Sequence, residues 1–177
     1  MTKLKEGFVQ VYTGNGKGKT TAALGLALRA AGSGLKSYIA QFMKEFPYNE
    51  LNSLKHLSNW IIIEQFGGDG FVYKKEPPGE EEIRKVKNGL NKAKEKMLSG
   101  EYDIIILDEA CVSIYFNLLT VDDILDFIKL KPQQVEIVIT GRYCPQEIID
   151  VADLVTEMKE IKHYYEKGVI SRRGIES

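Results

Sequence analysis

Apolar residues in this chain fall into short uninterrupted runs separated by polar or helical stretches. Runs at 8–12, 36–42, 59–66 (with Ile61, Ile62 and Ile63), 104–107 and 137–139 read as strands, and a last strand is expected at 154–158. The runs at 104–107 and 137–139 are fully apolar, as strands covered on both faces should be. The Ala/Leu-rich stretch 20–31 predicts a helix ended by Gly32 and Gly34. The longest helical stretch, 80–98, opens with acids and turns basic toward its end, as the helix dipole favours, and its charges read as a solvated face. Strands alternating with helices predict an α/β fold: a mostly parallel sheet with helices on both faces. No repeat or linker interrupts the pattern, so residues 1–177 are expected to form a single domain. Two stretches read as loops: 67–79, with four glycines and Pro77-Pro78, and an irregular tail at 159–177. Long irregular segments in compact domains usually carry function or are disordered.

Composition narrows the class without naming a chemistry. A length of 177 residues suffices for a hydrophobic core without disulfide or metal staples. With 24 basic and 25 acidic residues, the net charge of −1 gives no reason to expect a nucleic acid or a membrane as partner. Cys111 and Cys144 stand far apart with no Cys-x-x-Cys motif nearby, which makes neither a disulfide framework nor a zinc site. The first residues lack the apolar stretch of a signal peptide, and no run approaches the ~18 apolar residues that cross a membrane. A soluble, cytoplasmic protein is the expectation.

Candidate chemistry concentrates first in Gly14-Asn15-Gly16-Lys17-Gly18-Lys19-Thr20-Thr21, between a predicted strand and a predicted helix. Glycines there let successive backbone N–H groups curl around phosphate oxygens, and the helix N-terminus adds its dipole. Lys19 brings a cation to the phosphates, and the Thr20 hydroxyl suits magnesium. The usual P-loop pattern has glycine where Thr13 stands. As a loop residue, Lys19 is expected to be exposed and to matter little for stability. The second signal is the apolar run 104–107 ending in Asp108-Glu109, which places carboxylates at the C-terminal edge of a parallel sheet, where ligands bind. Either acid can meet the magnesium of a bound nucleotide. The nearest approach to the guanine-reading Asn-Lys-x-Asp pattern is Asn91-Lys92-Ala93-Lys94, which ends in lysine inside a helix, so ATP is the expected nucleotide. Arg142 follows the run 137–139 at the same sheet edge, placed to meet phosphate or leaving-group charge, though the residue type also fits an ordinary surface. His56 and His163 have no second histidine at ligand spacing and read as structural.

Together these segments resemble the P-loop type of cobalamin (corrinoid) adenosyltransferase. The resemblance spans nearly the whole chain. It is carried by 13–21, by 26–34 (L-A-L-R-A-A-G-S-G, with Arg29), by 102–109, by Thr140-Gly141-Arg142, by 153–157 (D-L-V-T-E), by 161–163 and by Gly174-Ile175-Glu176. It implies a P-loop NTPase-like fold, ATP and a reduced corrinoid as substrates, and magnesium. It implies attack of Co(I) on the ribose 5′ carbon of ATP with release of triphosphate, so no protein nucleophile is needed. Lys19 and Arg142 would be the catalytic charges, residues 14–21 and Arg29 would bind nucleotide, and the triphosphate would lie in the reverse of the usual P-loop direction. A flavoprotein reductant and a homodimer are implied partners. Gly70-Phe71-Val72-Tyr73 resembles the family's G-F-x-W segment, whose aromatics cover one corrin face and displace the lower axial ligand; Tyr73 stands where tryptophan is usual. The tail at 168–175 departs from the family's G-x-K-A-Q-x-G-I, with Arg172 and Arg173 as replacement charges. The chain starts almost at its first strand, so the N-terminal extension of some relatives is expected to be absent. A P-loop kinase or ATPase, or a nucleotide-dependent switch, would use the same motifs. Cobalamin, cobinamide and a biosynthetic intermediate are all open as the corrinoid.

Overall fold

A computed structural model describes residues 4–44, 48–68 and 77–176. Phe71 and Tyr73 lie outside the described residues. Six strands, β1 (Val9–Thr13), β2 (Ser37–Phe42), β3 (Ile61–Phe66), β4 (Ile104–Asp108), β5 (Glu136–Thr140) and β6 (Leu154–Glu157), form one sheet in the order β3-β2-β4-β5-β1-β6. Every pairing is parallel. Among the described residues the α-helices are α1 (Lys19–Gly32), α2 (Asn49–Leu54), α3 (Glu80–Leu98), α4 (Ala110–Tyr115), α5 (Val121–Lys129) and α6 (Gln146–Val151).

The two-residue period of the strands sorts the core into two layers. Ile105, Leu107, Ile137, Ile139, Tyr38 and Phe42 face one side, against Val86, Leu90, Ala93 and Met97 of α3 and Ile124 and Phe127 of α5. Ile104, Ile106, Ile39 and Val138 face the other, against Ala23, Ala27 and Ala30 of α1. Alanine at those α1 positions lets the helix backbone approach the sheet closely. Both faces are therefore covered, which is why β2, β4 and β5 are buried at every position.

Departures from the expected boundaries are small and local. The third strand begins at Ile61 rather than 59, because the Trp60 N–H donates to the Leu57 carbonyl and closes a turn (2.8 Å). Helix α1 begins one residue early, at Lys19, and takes in Gly32 before Ser33 caps it. Strand β6 forms where expected, but all four of its residues are exposed because it pairs only with β1 at the sheet edge. The tail is not wholly irregular: Tyr164–Lys167 make a 3-10 turn closed by Gly168 at φ 79°. Among the described residues no helix is long and apolar enough to cross a membrane.

Candidate active site

The loop between β1 and α1 owes its shape to glycines at Gly14 (φ 96°) and Gly18 (φ 116°), in backbone territory that costs other residues strain. Close approach is a second reason. A Cβ on either Gly14 or Gly16 would lie 2.6 Å from the Met158 carbonyl oxygen. That carbonyl accepts the Gly16 N–H (2.6 Å), and the Met158 N–H donates to the Thr13 carbonyl (2.8 Å), so the end of β6 seats the loop. Thr13, where the usual pattern has glycine, is the last residue of β1, and its hydroxyl accepts the Cys144 N–H at 3.4 Å.

Lys19 is not the exposed loop residue expected. It is only 6% exposed, and its Nζ donates to the carbonyls of Gly14 and Gly16, both at 2.8 Å. Burial pulls its pKa below the ordinary lysine value and nearby Arg142 adds to this, while Glu109 and Asp108 oppose it. The ammonium is thus held inside the loop by those two carbonyls.

Asp108 is the hub of the site. It is 1% exposed, and its carboxylate accepts four side-chain hydrogen bonds: from Thr20 Oγ1 (2.9 Å), Thr140 Oγ1 (2.7 Å), Gln41 Nε2 (3.1 Å) and Lys44 Nζ (2.7 Å). A buried carboxylate is tolerated only when paired and bonded in this way. Burial disfavours charge on Lys44, but the charge and hydrogen bond of Asp108 outweigh it and hold the ammonium above its ordinary pKa. Glu109 turns at φ 63° into α4, its N–H donating to Thr140 Oγ1 at 3.0 Å. A glutamate in the left-handed region is a strain that folds tolerate mostly at functional sites. Burial, then the neighbouring Asp108, pushes the Glu109 carboxyl above its ordinary pKa.

Two clefts meet here. One, of about 280 Å³, is lined by residues 16–21 with Glu109, Arg142, His163, Ile175 and Glu176. The other, of about 620 Å³, adjoins it and shares Thr20, Thr21, Glu109, Ile175 and Glu176, adding Lys44 and residues of α2. The structure therefore brings Lys19, Thr20, Thr21, Glu109 and Arg142 to one cleft, with Gly16, Lys17 and Gly18 along its wall and Asp108 beneath Thr20. Gly14 bonds Lys19 from the loop, and Asn15 is exposed at its outer edge. Arg29 is not brought there: it is exposed in the last turn of α1, ~15 Å along the helix from Lys19.

Several site residues escaped the sequence. Gln41 had a faint signal, as an amide set among the apolar Ile39, Ala40 and Phe42, whereas Lys44 had none. His163, read as structural, lines the smaller cleft, as does the tail through Ile175 and Glu176. Glu176 is held well below the usual carboxylate range by hydrogen bonds from Arg172 and Tyr164. Cys111 and Cys144, remote in sequence, perturb each other beside this site: Cys144, then burial, pushes the Cys111 thiol up, and Cys111 pulls Cys144 down.

Comparison with known proteins gives a consistent answer. The profile of the family described as ATP:corrinoid adenosyltransferase BtuR/CobO/CobP matches residues 5–177. The corrinoid adenosyltransferase of Escherichia coli K12 is 32% identical over 174 residues, covering 97% of this chain and 86% of that protein. Corrinoid adenosyltransferase CobA of Salmonella typhimurium is 32% identical over 175 residues, with the same coverage of 97% and 86%. Among solved structures, the flagellar accessory protein FlaH from Methanocaldococcus jannaschii aligns with a TM-score of 0.59 at 19% identity, covering 87% of this chain and 72% of that one. That last likeness concerns the fold alone.

Proposed function

The chain belongs to the ATP:corrinoid adenosyltransferase family, and from that premise we propose that it transfers the 5′-deoxyadenosyl group of ATP to the Co(I) centre of a reduced corrinoid, releasing inorganic triphosphate. The observation that carries this reading is the coincidence of a match over residues 5–177 with one cleft that gathers Lys19, Thr20 and Arg142. Co(I) donates an electron pair to the ribose 5′ carbon. The cobalt–carbon bond forms as the C5′–O5′ bond breaks, and the bonding electrons leave with the triphosphate. No protein nucleophile or base is called for; what the reaction needs from the chain is orientation and neutralisation of the leaving group.

The residues suit those tasks. Lys19 and Arg142 place two cationic side chains at the phosphate cleft, and the loop N–H groups with the α1 N-terminus add fixed dipoles. The adjoining cleft of about 620 Å³ leaves room for the nucleoside on the same face. The Thr20 hydroxyl and the Asp108 carboxylate are the hard oxygen donors that fit magnesium. Among the described residues no three His, Cys, Asp or Glu side chains gather as a metal cage, so the ion would be held jointly with phosphate oxygens. Bound there, magnesium would supply further neutralisation of the departing triphosphate. A low-potential flavoprotein reductant, a homodimer and a cytoplasmic setting follow from the same family reading, as does contact of Phe71 and Tyr73 with the corrin.

Mixing the protein with ATP, magnesium and chemically reduced cobalamin tests the proposal. Adenosylcobalamin should appear in the corrinoid spectrum with one inorganic triphosphate per turnover. Release of ADP instead would identify a kinase or ATPase, and nucleotide binding with no product would identify a switch.

A further inference from the structure

Among the described residues four side chains bond Asp108, and of these only Lys44 is charged. Its Nζ lies 2.7 Å from Asp108 Oδ2 and 3.4 Å from Thr20 Oγ1. One ammonium therefore bridges the two oxygens best suited to hold a divalent cation, in a setting where Lys44 is 11% and Asp108 1% exposed. Lys44 is also a wall of the cleft of about 620 Å³, which opens beside Thr20 and Thr21. We propose that Lys44 is a positioning residue that shares Asp108 with the divalent cation in alternation, its ammonium moving to the triphosphate oxygens when the metal takes Asp108 and Thr20.

The physical reason is crowding of like charge. A divalent ion binds carboxylate and hydroxyl oxygens at about 2.1 Å. An ammonium still seated on the same carboxylate would then be in near contact with it, in a buried site where screening is weak. Lysine is suited to relocation, being a compact point charge on a flexible four-carbon stem. The Tyr48 ring, 5.2 Å from Nζ, offers a cation–π surface on the cleft side. Glu109 and Glu50 add to the field that keeps the ammonium charged where it rests on Asp108. The arrangement also explains how Asp108 stays compensated throughout, since one cation replaces another. The metal in turn arrives with the anion that receives the displaced charge.

This inference rests on the reading of the loop as a triphosphate site, and binding measurements separate the two. Lys44→Ala and Lys44→Gln would be compared with the wild type in two titrations free of corrinoid and turnover. In the first, Mn²⁺ standing in for Mg²⁺ is followed by electron paramagnetic resonance without nucleotide. In the second, inorganic triphosphate is followed by calorimetry at saturating Mg²⁺. Removing the ammonium should tighten Mn²⁺ binding about 5- to 10-fold, because the metal no longer displaces a resident cation. Triphosphate binding should weaken about tenfold or more, because one charge partner is gone. Opposite movement of the two affinities is the signature; a lysine that only supports the fold would weaken both or neither. Failure of Mn²⁺ binding to tighten, or triphosphate affinity equal to the wild type, overturns the proposal. Lys44→Gln keeps a donor for Asp108 and carries the test if the alanine variant does not fold. Wild-type protein that binds no triphosphate would instead overturn the phosphate-site reading.

Discussion

Burial changes what Lys19 means. A solvated loop lysine could be removed at little cost, but this one satisfies the Gly14 and Gly16 carbonyls from inside the loop. Lys19→Ala is therefore expected to act twice. Turnover should fall a hundredfold or more, since one charge-stabilising group is worth about 3 kcal/mol of barrier. Stability should also fall by about 1 kcal/mol as the two carbonyls lose a donor. Steady-state rates with a thermal melt would check both, and near-normal turnover would remove Lys19 from the mechanism. The cysteines offer a second case at this scale. Cys144 is half-buried with its pKa lowered by the neighbouring Cys111 thiol, so it presents more thiolate at a given pH than an ordinary cysteine. Cys111 is buried and shifted the opposite way. Iodoacetamide at pH 8 should label Cys144 in the native protein and Cys111 only after unfolding. Equal native-state labelling in a mass spectrum would contradict that order.

Helix termini separate elements that hold the site from elements that only hold the fold. Helix α5 starts with a capping box, in which Thr120 Oγ1 accepts the Asp123 N–H (3.1 Å) and Asp123 Oδ2 accepts the Thr120 N–H (2.8 Å). Thr120→Ala should cost about 1 kcal/mol and leave turnover unchanged. Gly141, just past β5, sits at φ 140°, and a Cβ there would lie 2.9 Å from both Cys111 Cβ and the Val112 nitrogen in α4. Gly141→Ala pushes α4 away from β5, the two elements whose ends carry Glu109 and Thr140. It should destabilise by about 1–3 kcal/mol and should also reduce turnover at temperatures where the variant is fully folded. Urea midpoints paired with rates would distinguish the two variants. Equal turnover for both would mean that the α4–β5 junction does not set the site.

The whole molecule converges on one edge of the sheet. The order β3-β2-β4-β5-β1-β6 places β5 between β1 and β4. Thr20 after β1, Asp108 on β4, Thr140 on β5 and Gln41 on β2 thereby meet at the C-terminal end of the sheet, where parallel α/β folds bind ligands. The tail reaches back to the same edge through His163 and Glu176. A corrin-facing role for Phe71 and Tyr73, which lie outside the described residues, remains part of the proposal. If Phe71 strips the lower ligand from cobalt, its benefit lies in reducing Co(II). Phe71→Ala should then lose far more activity with a mild reductant than with pre-formed Co(I), whereas Lys19→Ala should lose activity in both. Matching losses for Phe71→Ala would mean uniform corrinoid binding instead. Tyr73→Ala should show the same split more weakly.

The sequence by itself determined the strands, the α/β class, the glycine-rich loop between β1 and α1 and the acidic strand end. Each of these is written in neighbouring residues: unbroken apolar runs for doubly covered strands, glycine spacing for a curled loop, and Asp108-Glu109 at the end of a run. Segment-level resemblance identified the family for the same reason, although it also named Arg29, which the fold leaves at the far end of α1. Tertiary structure alone decided the rest. Lys44 on Asp108, the Met158 carbonyl under the loop, the burial of Lys19, the pairing of Cys111 with Cys144 and the tail over the cleft all join residues remote along the chain. Those contacts depend on which strands are neighbours and in what register. Strand order is set by how the whole chain buries its apolar faces, and no local pattern of residues encodes it.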